Sequence, residues 1–442
     1  MTFASRLPGS TRRARRTLVT LAALSGALLV TACSPSAGGS SGSTGAGGDG
    51  NVDLTVWSWR VEDEAAYKKI FAAYEKSHPN VHVDFKAFKA TEYNKILATG
   101  LAGSNGPDVP QVRSYGQLQT TVASKSLLPL DGKVDLSGWD ENIVASAKGK
   151  EDGKTYSVPF ARQTVQMFYN QGLFEENGLK APTTWAEFIA ANDKLQAAGV
   201  TPIAVGAKDD WTLPIVHEVV AGARFGGKAF RDAVVSGKKT FTDPDWVASV
   251  KVVGDLEKYM PKNVTGVAQT DAQTLFSAEK AAMIPGGSFD LSVFQKANPN
   301  MKIGIFQVPP APGSPSGSPA TTAGWADGNF GVSAKSKHPA EATELVKWMT
   351  SKEFGQMVGE EIKQISAVPG VEPSDPLLKQ MSDNYKNSGS PYLLLTDFRY
   401  GTPSGGELMG KGLQELLLGS KDASAVSQDL DTGVKTWFKP SA

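Results

Sequence analysis

The stretch Val52-Asp53-Leu54-Thr55-Val56-Trp57-Ser58-Trp59-Arg60 decides how the chain is read. Val52, Leu54 and Val56 alternate with Asp53 and Thr55, the period-two pattern of a strand that buries one face. Ala66, Tyr67, Ile70, Phe71 and Tyr74 then recur at helical spacing until His78-Pro79. Val81, Val83 and Phe85 alternate as a second strand, Tyr93 to Leu101 reads as a helix, and a third short extended run follows from Asp108 to Val112. Strand, helix, strand, helix, strand is the rhythm of a mostly parallel sheet with helices on both faces.

The rhythm continues to the carboxyl end. Tyr156 to Phe160 and Thr164 to Tyr169 read as extended segments, and Thr184-Trp185-Ala186-Glu187 is a capping box that opens a helix reaching about Ala198. Further strands are expected at Pro202–Val205, Ala281–Ile284, Met301–Phe306 and Gly328–Ser333. Helices are expected at Trp246–Tyr259 and Ala340–Met349, with at least two more between Gly406 and Phe438. There is no internal repeat.

Composition narrows the class. The 442 residues carry 45 Lys+Arg and 45 Asp+Glu. Five of the basic groups (Arg6, Arg12, Arg13, Arg15, Arg16) precede residue 33 with no acid among them, so residues 33–442 hold 45 − 5 = 40 basic and 45 acidic groups, a net charge of −5. A mildly acidic body with dispersed charge offers no footprint for nucleic acid. The single cysteine, Cys33, excludes an intramolecular disulfide and a cysteine-based zinc finger. The four histidines lack metal-binding spacing, and no P-loop, GxGxxG, EF-hand loop or GxSxG occurs. Neither a metal nor a cofactor is therefore expected.

The first 32 residues read as a signal peptide. Arg12–Arg16 form a positive block, and Leu18–Val30 is an apolar run of 13 residues, where about 20 are needed to cross a bilayer. The small pair Thr31-Ala32 before Cys33 resembles the lipobox of bacterial lipoproteins, which implies a lipid on the Cys33 sulfur. Export through the general secretory or the twin-arginine route stays open, because Arg15-Arg16 also fits the latter loosely. Of the 17 residues from Ser34 to Gly50, 12 are Gly or Ser, a flexible tether spanning about 20–25 Å. These features place the body on the extracellular face of the bacterial cytoplasmic membrane.

Enzyme readings find little support. Glu62/Glu64 and Asp209/Asp210 are acids close in sequence, of the kind that usually form a solvated face, and no histidine sits in a nucleophile motif. Binding is better supported. Aromatic residues stand where strands run out, beside polar groups: Trp59 with Arg60 and Glu62, Tyr115 with Arg113, Trp211 with Asp209 and Asp210, Phe289 with Ser288 and Asp290, Trp325 with Asp327. Ligands of open α/β sheets lie beyond the carboxyl ends of the strands. A pyranose suits such a lining, since its C–H face packs on an aromatic ring and its hydroxyl rim needs carboxylates, amides and arginines.

Together these pieces resemble the carbohydrate-binding, maltose-binding-protein-like family 1 of extracellular solute-binding proteins that serve ABC importers. The resemblance rests on Leu54–Trp59, Gly106-Pro107-Asp108-Val109, Val158-Pro159-Phe160, Phe168-Tyr169-Asn170, Pro182–Phe188, Met283–Phe289 and Gly331–Pro339, in that order. It implies an α/β, two-lobe periplasmic-binding-protein-like fold, each lobe a mostly parallel sheet flanked by helices, joined by a hinge of several segments. The implied division is signal peptide 1–32, tether 33–51, first lobe 52–160 with a return segment 324–369, and second lobe 161–323 with carboxyl-terminal helices 370–442. Crossings are expected near Phe160–Arg162, Ala323–Gly328 and Val368–Val371. By position, the family's cleft residues fall on Trp57, Trp59, Arg60, Arg113, Tyr115, Arg162, Gln163, Trp211, Gly287, Ser288, Asp290, Trp325, Asp327 and Arg399, with Glu62 beside them. The resemblance implies a monomer that binds a mono- or oligosaccharide without turnover and hands it to the permease subunits of an ABC transporter. A secreted polysaccharide-active enzyme and a binding protein for a non-sugar solute remain as alternatives.

Overall fold

The computed structural model describes residues 50–440. The signal segment, Cys33 and nearly all of the tether lie outside the described residues. Twelve strands run in chain order as β1 (Val52–Ser58), β2 (Val81–Ala87), β3 (Val109–Val112), β4 (Ser157–Pro159), β5 (Ala161–Asn170), β6 (Thr201–Ile203), β7 (Ala281–Gly287), β8 (Ile303–Phe306), β9 (Thr322–Ala326), β10 (Asn329–Gly331), β11 (Ile365–Ser366) and β12 (Gly389–Pro391).

They form two sheets, one per lobe. The first has the order β2-β1-β3-β10-β4. β1 runs parallel to β2, with Val52 opposite Val81 and Val56 opposite Phe85, and parallel to β3. The alternation that announced β1 buries Leu54, Val56 and Ser58. Leu54 and Val56 join the first core with Ile70 and Phe71 of the helix Glu64–Ser77 and Leu345 and Val346 of the helix Pro339–Trp348. Tyr67 stacks on Phe85 there at 4.6 Å.

The second sheet has the order β12-β9-β5-β7-β6, with β8 and β11 also on β5. It is mixed. β5 runs antiparallel to β7, β8, β9 and β11, whereas β6 is parallel to β7 and β12 to β9. β5 enters from the first lobe and acts as the spine on which the others pair. One side of this lobe packs around Trp246, and another packs Phe168 and Ile284 against Phe294, Leu378 and Met381. The capping box forms as read: Glu187 N donates to Thr184 Oγ1 (3.2 Å) and Thr184 N donates to Glu187 Oε2 (3.1 Å), a device that stabilises a helix start by about 1 kcal/mol.

The chain passes between the sheets at Phe160, between β4 and β5, and at Asp327–Gly328, between β9 and β10. The third passage is drawn out. β11 pairs with β5, Val368 and Val371 pack beside Gly355 of the helix Lys352–Met357, and the helix Pro376–Ser388 then belongs to the second lobe. The passages are bonded side by side: Phe160 N donates to Gly328 O (3.3 Å), Asp327 N to Ala161 O (3.0 Å) and Ala367 N to Phe160 O (3.0 Å). Gly328 has a φ of +78°, and a Cβ there would lie 2.7 Å from Phe160 and 3.0 Å from Trp59. Only glycine fits that turn without strain. Among the described residues no helix is long and apolar enough to cross a membrane.

Candidate functional site

The residues singled out from the sequence fall into several groups, the first of them beside the passages. Beside the passages, hydrogen bonds link the lobes in a chain. Arg60 Nε donates to Asp63 Oδ2 (2.7 Å), and Gln364 Nε2 reaches the same oxygen at 3.5 Å. Gln163 Nε2 donates to Gln364 Oε1 (2.7 Å), Ser288 Oγ to Gln163 Oε1 (2.5 Å), and Thr164 N to Ser288 Oγ (3.2 Å). All six residues are buried. Burial pulls the Arg60 guanidinium down, but the charges of Asp63 and Glu62 outweigh it and hold it above its usual value. Burial raises the Asp63 carboxyl against the pull of Arg60. Lys296, on the second-lobe helix Leu291–Ala297, donates to Glu62 O (2.8 Å) and stands 3.8 Å from Asp63 Oδ1. Glu62 itself is at the rim, 3.3 Å from Arg60 Nε.

On the first lobe, Trp59, expected in the cleft, is instead buried in a small core with Tyr93 (5.6 Å between rings), Leu97 and Leu118, and the Arg113 guanidinium lies 3.8 Å from its ring centroid. Burial lowers the Arg113 guanidinium and nearby Asp327 partly restores it. From the second lobe comes Arg399, drawn down to about 10 by burial first and by the like charge of Arg113 second. Asp327, half-buried at a passage, bears on both arginines.

On the second lobe, Gly286 and Gly287 end β7 and lead into a turn. Its Asp290 accepts from Gly287 N (2.9 Å) and from Gln273 Nε2 (2.8 Å). Burial pushes that carboxyl up to about 6 despite both hydrogen bonds. Asp290, Phe289, Gln269 and Trp211 line one small recess of about 10 Å³, room for about one water molecule. Trp211 is 46% exposed, whereas Trp325 is only 6% exposed, edge-on to Tyr392 (5.2 Å) and Phe289 (6.4 Å).

Three further expected cleft residues do other work. Trp57 sits on the flank of the first lobe, 4.9 Å from Phe88, with its ring laid on the helix Ala90–Ala102 where Gly100 has no side chain. A Cβ at Gly100 would come within 2.5 Å of that ring. Tyr115 has a left-handed φ of +56° and is a strut between the lobes: its hydroxyl accepts from Ala326 N (3.1 Å) and donates to Asn142 O (3.2 Å). Arg162 faces Asp140 (3.6 Å) and lies 5.2 Å over the Tyr385 ring. Sequence reasoning missed Asp63, Gln364, Gln117, Lys296 and Tyr385. Asp63 was within reach, since it follows Arg60 by three residues. Gln364 lies 301 positions from Asp63 and carries no local cue. Among the described residues no group of three or more His, Cys, Asp or Glu is placed to hold a metal ion.

Comparison with known proteins agrees with this architecture. The multiple sugar-binding protein of Streptococcus mutans is 29% identical over 308 residues, covering 68% of this chain and 71% of that protein. The melibiose/raffinose/stachyose-binding protein MelE of Bacillus subtilis is 24% identical over 327 residues, covering 67% and 74%. A solved structure described under xylan utilization by Caldanaerobius polysaccharolyticus superposes with a TM-score of 0.74 at 24% identity, covering 86% of this chain and 99% of that one, which establishes the shared fold. The family described as bacterial extracellular solute-binding protein matches residues 58–356. That match spans more than half of the sequence, and the chain therefore belongs to the bacterial extracellular solute-binding proteins.

Proposed function

We propose that the protein captures a mono- or oligosaccharide between its lobes and delivers it to the permease subunits of an ABC importer, held at the outer face of the cytoplasmic membrane by a lipid on Cys33. Two observations support this reading: the exposed Trp211 ring beside Phe289 and Asp290 at one recess of the second lobe, and the cluster of Arg113, Asp327 and Arg399 drawn from both lobes. Relatives named for sugar binding support it. The protein works by binding, not turnover: closure of two lobes on a ligand requires only that the ligand prefer the closed state. A few charge-assisted hydrogen bonds and one or two aromatic contacts suffice for micromolar affinity, about −8 kcal/mol.

Isothermal titration of the protein against a panel of mono-, di- and trisaccharides tests the reading. Saturable binding at micromolar concentration to at least one is expected. Heat from no member of the panel would remove the sugar assignment, and release of reducing ends from a polysaccharide would favour the enzyme. The anchor is tested separately: Cys33→Ala is expected to move the protein from the membrane pellet to the soluble fraction.

A further inference from the structure

Six arginines lie among the described residues. Four of them close an ion pair: Arg60 with Asp63 and Glu62, Arg162 with Asp140, Arg224 with Asp245, and Arg231 with Asp232 and Asp397. Arg113 and Arg399 have no carboxylate oxygen of the described residues within 4.0 Å. One belongs to each lobe. Arg113 directly follows β3, and Arg399 lies between the helices Leu393–Thr396 and Gly405–Leu417.

Their protein partners are sparse. Arg113 Nε reaches Asn94 Oδ1 and its terminal nitrogen reaches Ala90 O, each at 3.4 Å, long for a charged donor. Arg399 reaches the Gln117 amide oxygen at 3.3 and 3.2 Å, with that amide turned oxygen-first. Both are half-buried; the charge of Arg113 bears on Arg399, Asp327 bears on both, and Glu62 and Glu407 act more weakly on one each. Holding two like charges together, partly withdrawn from water, is unfavourable until an anion arrives. The Trp59 ring fixes the plane of Arg113 from one side. Stacking occupies a guanidinium's face and leaves its N–H edge for a fork of two oxygens.

We infer that Arg113 and Arg399 together receive a negatively charged group of the ligand, a carboxylate or a phosphate ester, and that Trp59 is the positioning residue that holds Arg113 for it. The ligand is then an acidic sugar rather than a neutral one. This deepens the sugar-binding reading and rests on it.

Isothermal titration of the full chain tests the assignment with matched probes: D-galacturonate and its disaccharide, their methyl esters, galactose and its disaccharide, and a sugar phosphate. The acid or the phosphate is expected to bind about 10–100-fold more tightly than ester or neutral sugar, the range of one or two charge-assisted hydrogen bonds. Whichever of the two retains that preference identifies the charged group. Arg113→Gln and Arg399→Gln should each erase the preference, and Trp59→Leu should cut the ratio of acid to ester affinity about tenfold. Should a Gln variant fail to fold, Arg113→Lys and Arg399→Lys keep the charge, lose the fork, and should still cost about tenfold. Equal affinity for acid and ester, or a preference unchanged in the arginine variants, would overturn the assignment and leave the sugar reading intact. Arginine-dependent binding of glycerol 3-phosphate with no response to any sugar would do the reverse.

Discussion

The polar groups beside the passages and the pair Arg113 and Arg399 are made of related residue types, yet they end differently. From Arg60 through Asp63, Gln364, Gln163 and Ser288 to Thr164 N, each side chain hands on to the next, and the chain is shut away from water. Among the described residues, Arg113 and Arg399 pair with no carboxylate and make long hydrogen bonds. The contrast separates two uses of charge. A buried network fixes geometry, and breaking one member strands the next. Half-buried donors with long protein contacts keep hydrogen-bonding capacity toward solvent.

Five substitutions bear on that contrast. The largest effect belongs to Asp63→Ala, which strands the Arg60 guanidinium in the interior: chemical denaturation should read a loss of about 3–5 kcal/mol. The partner experiment, Asp327→Ala, removes a half-buried carboxylate that closes no ion pair and should cost less than about 1 kcal/mol. Equal losses would break the distinction.

Next comes pH dependence at Asp290. Its carboxyl is held at about 6 in the fold against an ordinary 3.8, so the folded state favours the protonated form. Its contribution is full below pH 3.8 and is lost as pH rises through 6, a difference of about 3 kcal/mol. Denaturation midpoints measured from pH 3.5 to 7 should show that decline in the native protein and a flatter profile in Asp290→Asn. A decline of equal size in both would mean that other groups set it.

Gly328→Ala should cost about 1–3 kcal/mol in thermal unfolding, because the residue would carry a Cβ at positive φ into Phe160 and Trp59. Smallest in stability is Trp211→Ala. Its half-open ring supports no core, so melting should barely move while sugar affinity falls about tenfold, roughly 1.4 kcal/mol. A large melting shift with unchanged affinity would transfer Trp211 from the gap to the scaffold.

What the sequence made legible depends on how far apart the deciding residues lie. β1, the helix after it and the Thr184–Glu187 cap are local patterns whose periods can be read directly, and all three form. β11 is two residues long and has no period to read; it exists only because β5 offers it an edge. The mixed sense of the second sheet follows from β5 crossing between lobes, a tertiary fact invisible to strand patterning. Within the site, period two put Trp57 and Trp59 on one side of β1. It could not tell that a glycine on the neighbouring helix would seat the first indole on the flank, or that an arginine would cover the second. Tyr115 looked like a sugar platform because it is aromatic at a strand end; its hydroxyl is instead engaged by backbone on either side.

Gly116 adds a mechanical consequence. It abuts the Arg399 carbonyl so closely that any Cβ would collide with it. First-lobe and second-lobe main chains therefore touch without an intervening side chain, and such a contact does not compress. It serves as the stop on a pair of calipers. The backbone at Arg399 is thereby seated against the segment Tyr115–Gln117 with no side chain to yield between them.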